Sequence, residues 1–234
     1  MKHPKNVNNI VALRGALFMR TLQDEVQKQG FIVAHIKTDS IKIPNATKEI
    51  IDFCKIFAEK YGYVFKHEAT YEKMCLVNDA VYIAKYGWSE DNRLIGTWSA
   101  TGAQFQHPYV FKKLFAKEPI AFVDLCEIKS VTGESSLYLD LNEGLGENEH
   151  HYQFIGRTGE FCPIKEGFGG GLLYREKEGK YFAATGTKGY RWLESEVIRN
   201  LHTEDKINYK YFDELVDEAI QTINKFGDFE QFAD

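Results

Sequence analysis

The sequence predicts an α+β protein with antiparallel sheet and helices packed against it. Three observations carry that prediction. Apolar residues recur at helical spacing in a few capped segments. Short alternating stretches bounded by Gly, Asn, Asp and Ser lie between them and read as strands joined by turns. Finally, 44% hydrophobic residues over 234 positions are enough to bury real cores.

Taken in order, Asn8 or Asn9 caps a helix through IVALRGALFMRTLQDEVQKQ, with Val11, Phe18, Leu22 and Val26 apolar and Gly30 ending it. FIVAHI is a strand, KTDS a turn and SIKI the returning strand. Thr47 or Asn45 caps a second helix, KEIIDFCKIFAEKY, which Gly62 terminates. EATYEKMCLV, AVYIAKYG and, after a turn at SEDN, RLIGTW complete a small antiparallel sheet with helices on one face. From Gln106 a helix through HPYVFKKLFAK places Val110, Phe111 and Leu114 on one side and Lys112, Lys113 and Lys117 toward solvent. Residues 129–150, rich in Gly, Ser, Glu and Asn, read as a linker or long loop. HHYQFIGRTGEFCPIKEG and LLYREKEGKYFAATG read as short strands, the second a hairpin turning at Glu178-Gly179. YRWLESEVIRN and YFDELVDEAIQTINKF read as two closing helices. The expected division is 1–104, a helical segment at 105–132, a loop or linker at 133–150, and an α+β extension at 151–234.

No apolar run approaches the ~18 residues that a membrane helix needs, and MKHPKNVNNI lacks the apolar core of a signal peptide. A cytoplasmic protein with no membrane partner is expected. Cys54, Cys75, Cys126 and Cys162 are widely spaced with no CxxC pair, which argues against a disulfide framework or a cysteine zinc site. The net charge of −5 is unevenly spread: residues 1–60 carry ten Lys/Arg against six Asp/Glu, and residues 200–234 carry three against nine. Segregated charge leaves nucleic-acid binding open, since each phosphate contact needs a cation.

Several groupings invite a chemical reading. GFGGG at 167–171 is not followed by GK[ST], so it reads as a flexible turn and not a phosphate loop. His150, His151, His202 and Cys162 fit no standard zinc spacing, and nothing has the form of a nucleophile elbow. ATGTKGYRW at 184–192 sets two cations, Lys188 and Arg191, and two aromatics at an expected helix start. Free amides there can hold a phosphate, and Tyr190 or Trp192 can stack on a base; the competing reading is a helix cap with core aromatics.

The KTDS turn carries a lone carboxylate, Asp39. Alone it is a turn aspartate whose side chain satisfies backbone amides. In context, FIVAHIKTDSIKI resembles motif C of family B DNA polymerases, written YxDTDS, at the hairpin of the palm domain. The preceding IVALRGALFM resembles the helix that leads from the fingers into the palm. ATYEKMCLVNDAVYIAKY is similar to the segment with the KxY-type motif that contacts the primer, and SATGAQFQHPYVFKKLF would enter the thumb. The resemblance covers residues 8 to about 127 and is closest to phage-type enzymes.

The resemblance implies that Asp39 is a catalytic, metal-binding residue, one ligand of two Mg²⁺ held roughly 3.5 to 4 Å apart. Lys37 stands where the pattern places the first Asp, and its cation is suited to a phosphate or to Asp39. Tyr82 is implied at the primer, with Lys85 replacing the basic residue missing before it; the competing reading of Tyr82 is a half-buried strand aromatic. In a thumb, Lys112 and Lys113 would track the duplex backbone; otherwise they are a helix's solvated face. Motif A, DxxSLYPS, and motif B, Kx3NSxYG, are absent: the first tyrosine is Tyr61, and SLY at 136–138 has Gly133 in place of the Asp. The implied molecule is the C-terminal part of a DNA polymerase, comprising the end of the palm, the thumb and an extension. It would work with primer-template DNA, deoxynucleoside triphosphates and an N-terminal polymerase half, and would be inactive alone. The alternatives are a stand-alone non-catalytic nucleic-acid-binding or assembly protein on that scaffold, or an unrelated α+β protein whose acidic tail meets a protein partner.

Overall fold

The computed structural model describes residues 9–146 and 148–234. The chain forms two compact units, one up to Ser99 and one from Ala100, and is α+β with antiparallel pairing in every sheet described. No helix among the described residues is long and apolar enough to cross a membrane.

In the first unit, α1 (Ile10–Lys28) is capped by Asn9, whose side chain accepts from the Ala12 amide; Asn8, the other expected cap, lies outside the described residues. The hairpin of β1 (His35–Ile36) and β2 (Ile41–Lys42) follows, then α2 (Lys48–Lys60), capped by the Thr47 side chain. Phe18, Met19, Leu22 and Val26 of α1 pack on Ile50, Cys54, Phe57 and Ala58 of α2. Both sets recur at helical spacing, so each helix buries one stripe. A second sheet, in the order β3 (Ala69–Asn78), β4 (Val81–Ser89), β5 (Trp98–Thr101), completes the run. The expected strand RLIGTW starts later than its sequence suggests, because Asn92–Leu94 forms a 3-10 turn capped by Asp91.

The second unit opens with short helices α3 (Ala103–Gln106) and α4 (Pro108–Phe111), the latter continuing as a π-helical turn through Lys112–Ala116. Its sheet comprises β6 (Glu127–Ser130), β7 (Ser136–Asp140), β8 (Tyr152–Gly156), β9 (Thr158–Ile164), β10 (Gly171–Lys177), β11 (Lys180–Ala183) and β12 (Arg191–Glu194). The order is β6-β9-β12-β10-β7-β8, with β11 paired to β10. Helices α5 (Ser195–Leu201), α6 (Tyr209–Asn224) and α7 (Phe229–Ala233) follow. The core gathers Leu137, Leu139, Phe161, Leu173, Trp192 and Phe212.

Three expectations are corrected here. The region read as a linker at 133–150 holds β7, an interior strand with Leu137 and Leu139 buried, and the segment read as helical at 105–132 ends in strand β6; residues 105–234 thus share one unit instead of three. The expected helix start at 184–192 is a turn entering β12, because Trp192, fully buried, draws its neighbours into the sheet. GFGGG is no slack turn at its end. A Cβ on Gly171 would lie 2.4 Å from the Asp140 carbonyl oxygen, so only glycine lets β10 enter against β7.

Candidate functional site at the KTDS hairpin

The β1–β2 register, His35 with Lys42 and Ile36 with Ile41, leaves Lys37-Thr38-Asp39-Ser40 as the connection, closed by the Lys37 amide donating to the Ser40 carbonyl at 2.9 Å. Asp39 and Lys37 are exposed at its tip. The base is fixed by His35, which is buried and whose Nε2 donates to the Asp79 carbonyl at 2.9 Å. A carbonyl only accepts, so Nε2 carries the proton; Nδ1 is buried with no partner among the described residues. His35 thereby ties the hairpin to the β3–β4 turn.

Tyr82 lies beside this tie. Its ring is 6.4 Å from the His35 ring, and the Lys42 ammonium sits 5.0 Å from its centroid. Burial, with Lys37 nearby, holds the Lys42 ammonium below its ordinary range. The Tyr71 ring lies tilted against those of Tyr82 and Tyr86, and burial followed by those two neighbours raises its phenol. The residues expected at the metal and at the primer thus share one unit. Asp39, however, is a single exposed carboxylate, and among the described residues no cluster of three or more His, Cys, Asp or Glu is placed to hold a metal ion. A two-ion site needs more oxygen ligands than that; the residues present do not fit a complete Mg²⁺ centre.

The cations expected on nucleic acid are mostly engaged within the protein. Lys85 pairs with Glu72 at 3.1 Å, and Lys112 with the buried Asp124 at 2.8 Å. Lys188 pairs with Glu218. Arg191 donates to Asn142 Oδ1 at 2.9 Å and to the Gly170 carbonyl at 2.8 Å. Lys113 remains exposed on the π-helical turn. Tyr190 packs edge-on against Tyr211 and Trp192 is fully buried, so Trp192 offers no face to a base.

Two carboxylate-centred groupings had no sequence signature, since His107 lies 20 residues from Glu127 and His150 ten from Asp140. Glu127 accepts from His107 at 3.1 Å and from Lys129 at 2.5 Å. Asp140, completely buried, accepts from His150 at 2.7 Å and from the His151 amide at 2.9 Å. The His150 ring is thus engaged by Asp140, the Cys162 sulfur lies 3.5 Å from that of Cys126, and among the described residues His150, His151, His202 and Cys162 form no group placed to hold a metal ion. Comparison with family models, curated proteins and solved structures finds no match to this chain.

Proposed function

We propose that the chain is the C-terminal part of a phage-type family B DNA polymerase. It contributes the end of the palm with Asp39 as one Mg²⁺ ligand, a thumb segment from 105, and duplex-binding surface. The observation that carries this reading is the order and geometry at KTDS: a tight antiparallel hairpin after an amphipathic helix, its base tied by His35 to the turn that presents Tyr82. The exposed face of α1 adds support. Ile10, Leu13 and Leu17, at helical spacing, are 58–69% exposed, an apolar stripe of the kind that another protein segment covers. In this reading that segment carries motifs A and B and the remaining carboxylate.

Two measurements test it. Primer extension by this chain alone, with Mg²⁺ and all four deoxynucleoside triphosphates, yields no product; robust nucleotide addition would refute the incomplete site. Sequencing the DNA upstream of the codon for Met1 reveals a frame bearing DxxSLYPS and Kx3NSxYG, and an upstream region without them counts against the proposal.

A further inference from the structure

The hairpin of β10 and β11 carries REKEGKYF at 175–182, where cations and anions alternate and nearly cancel. Strand geometry undoes that cancellation. Successive side chains point to opposite faces, so Arg175 and Lys177 share one face while Glu176 takes the other. The register then sets Lys180 opposite Lys177 and Phe182 opposite Arg175. Glu176 falls opposite Tyr181 on the far face, where its carboxylate accepts from the Gly179 amide at 2.5 Å. One face of the hairpin therefore presents three cations and an aromatic ring, all exposed, with the Arg175 guanidinium 5.6 Å from the Phe182 centroid. Among the described residues no carboxylate forms an ion pair with any of the three.

At the foot of this face, a cavity of about 370 Å³ is lined by Ser130, Thr132, Ser135, Leu137, Arg175 and Thr185, with no carboxylate in its wall. Lys129 also borders it, but its ammonium is held by Glu127 and by the Gly186 carbonyl. Hydroxyl donors beside an arginine suit an oxyanion, and an exposed ring among cations suits an unpaired base.

We propose that this face binds a single-stranded nucleic acid. One phosphodiester sits at the cavity mouth against Arg175 and the hydroxyls, further phosphates follow Lys177 and Lys180, and a base stacks on Phe182. A duplex keeps its base faces stacked and has no use for that ring. The surface lies in the second unit, uses none of the residues of the polymerase reading and stands or falls independently of it. Lysines on an edge strand also discourage pairing with another chain; that role alone predicts no ligand.

The test is fluorescence anisotropy of the full chain with a labelled oligodeoxythymidylate, titrated across salt. With three phosphate contacts, log affinity falls with log salt at a slope of about −2, or about 20-fold from 50 to 200 mM. Arg175→Gln/Lys177→Gln/Lys180→Gln abolishes that slope and weakens binding at least tenfold at low salt. Phe182→Ala weakens binding about tenfold with the slope retained, and Lys225→Gln, at an exposed lysine outside this face, changes neither. Undiminished binding by the triple variant, no binding by wild type at low salt, or complete displacement by inorganic phosphate with no effect of Lys177 or Lys180 would overturn the proposal.

Discussion

Replacing Glu127 with Gln removes a charge from a buried network while keeping its size, and the cost follows from the geometry. Burial pushes the Glu127 carboxyl upward, but hydrogen bonds from His107 and Lys129 overcome that and hold it at about 2, against an ordinary 4.5. The unfolded chain therefore takes up this proton at a higher pH than the folded one, and stability rises with pH between those values. The difference corresponds to roughly 3 kcal/mol, fully present above about pH 4.5 and lost as the pH falls toward 2. In the variant, Lys129 keeps the Gly186 carbonyl at 3.0 Å and the Trp192 ring at 4.4 Å but loses its counter-charge. Urea unfolding followed by tryptophan fluorescence is the assay. Glu127→Gln is expected to be less stable than wild type by about 3 kcal/mol at pH 7, with the gap narrowing steadily below pH 4.5. A gap under about 0.5 kcal/mol at pH 7, within the range of an ordinary surface change, or a gap that does not vary with pH, would refute this account of the network.

Gly171→Ala brings a Cβ to 2.4 Å from the Asp140 carbonyl oxygen, so it should destabilise by about 3 kcal/mol or more, or prevent recovery of folded protein; a melting temperature like wild type would contradict the close approach. Lys180→Glu turns the like-charge pair with Lys177 into an attractive one and should stabilise by about 0.5 kcal/mol, measured by thermal unfolding, while weakening oligonucleotide binding. Cys126 and Cys162, with sulfurs 3.5 Å apart, should form a disulfide when diamide accepts their two hydrogens. Because burial raises both thiols, the reaction should accelerate steeply at alkaline pH, as read by peptide mapping; an unlinked pair after prolonged treatment at pH 9 would contradict the contact.

The helices α1 and α2 were legible because Phe18, Leu22 and Val26, and Ile50, Cys54 and Phe57, recur at the helical period between a capping Asn or Thr and a terminating Gly. The β10–β11 hairpin was legible because Glu178 and Gly179 both take positive φ in its two-residue turn. Strand β7 was hidden: only SLYLD carries it, flanked by Gly, Glu and Asn that read as loop. YRWLESEV has apolar residues at spacings that suit a helix, and the sheet claimed Arg191–Glu194 through the burial of Trp192. At the KTDS hairpin the turn could be read locally, yet His35 as its anchor could not, because its partner Asp79 lies 44 residues away. The cations failed for the same reason. Whether a lysine is spent depends on partners such as Glu218, 30 residues from Lys188, whereas Arg175, Lys177 and Lys180 emerge only once strand alternation separates them from Glu176.

Asp39 is where the polymerase reading is most exposed to test. The decisive measurement is primer extension by this chain reconstituted with an upstream polymerase segment carrying motifs A and B, comparing Asp39→Ala with Lys37→Ala. Loss of nucleotide addition to background with Asp39→Ala, and retention with Lys37→Ala, is the predicted result; an Asp39→Ala complex that extends the primer as fast as wild type would contradict the assignment of this hairpin to the metal site.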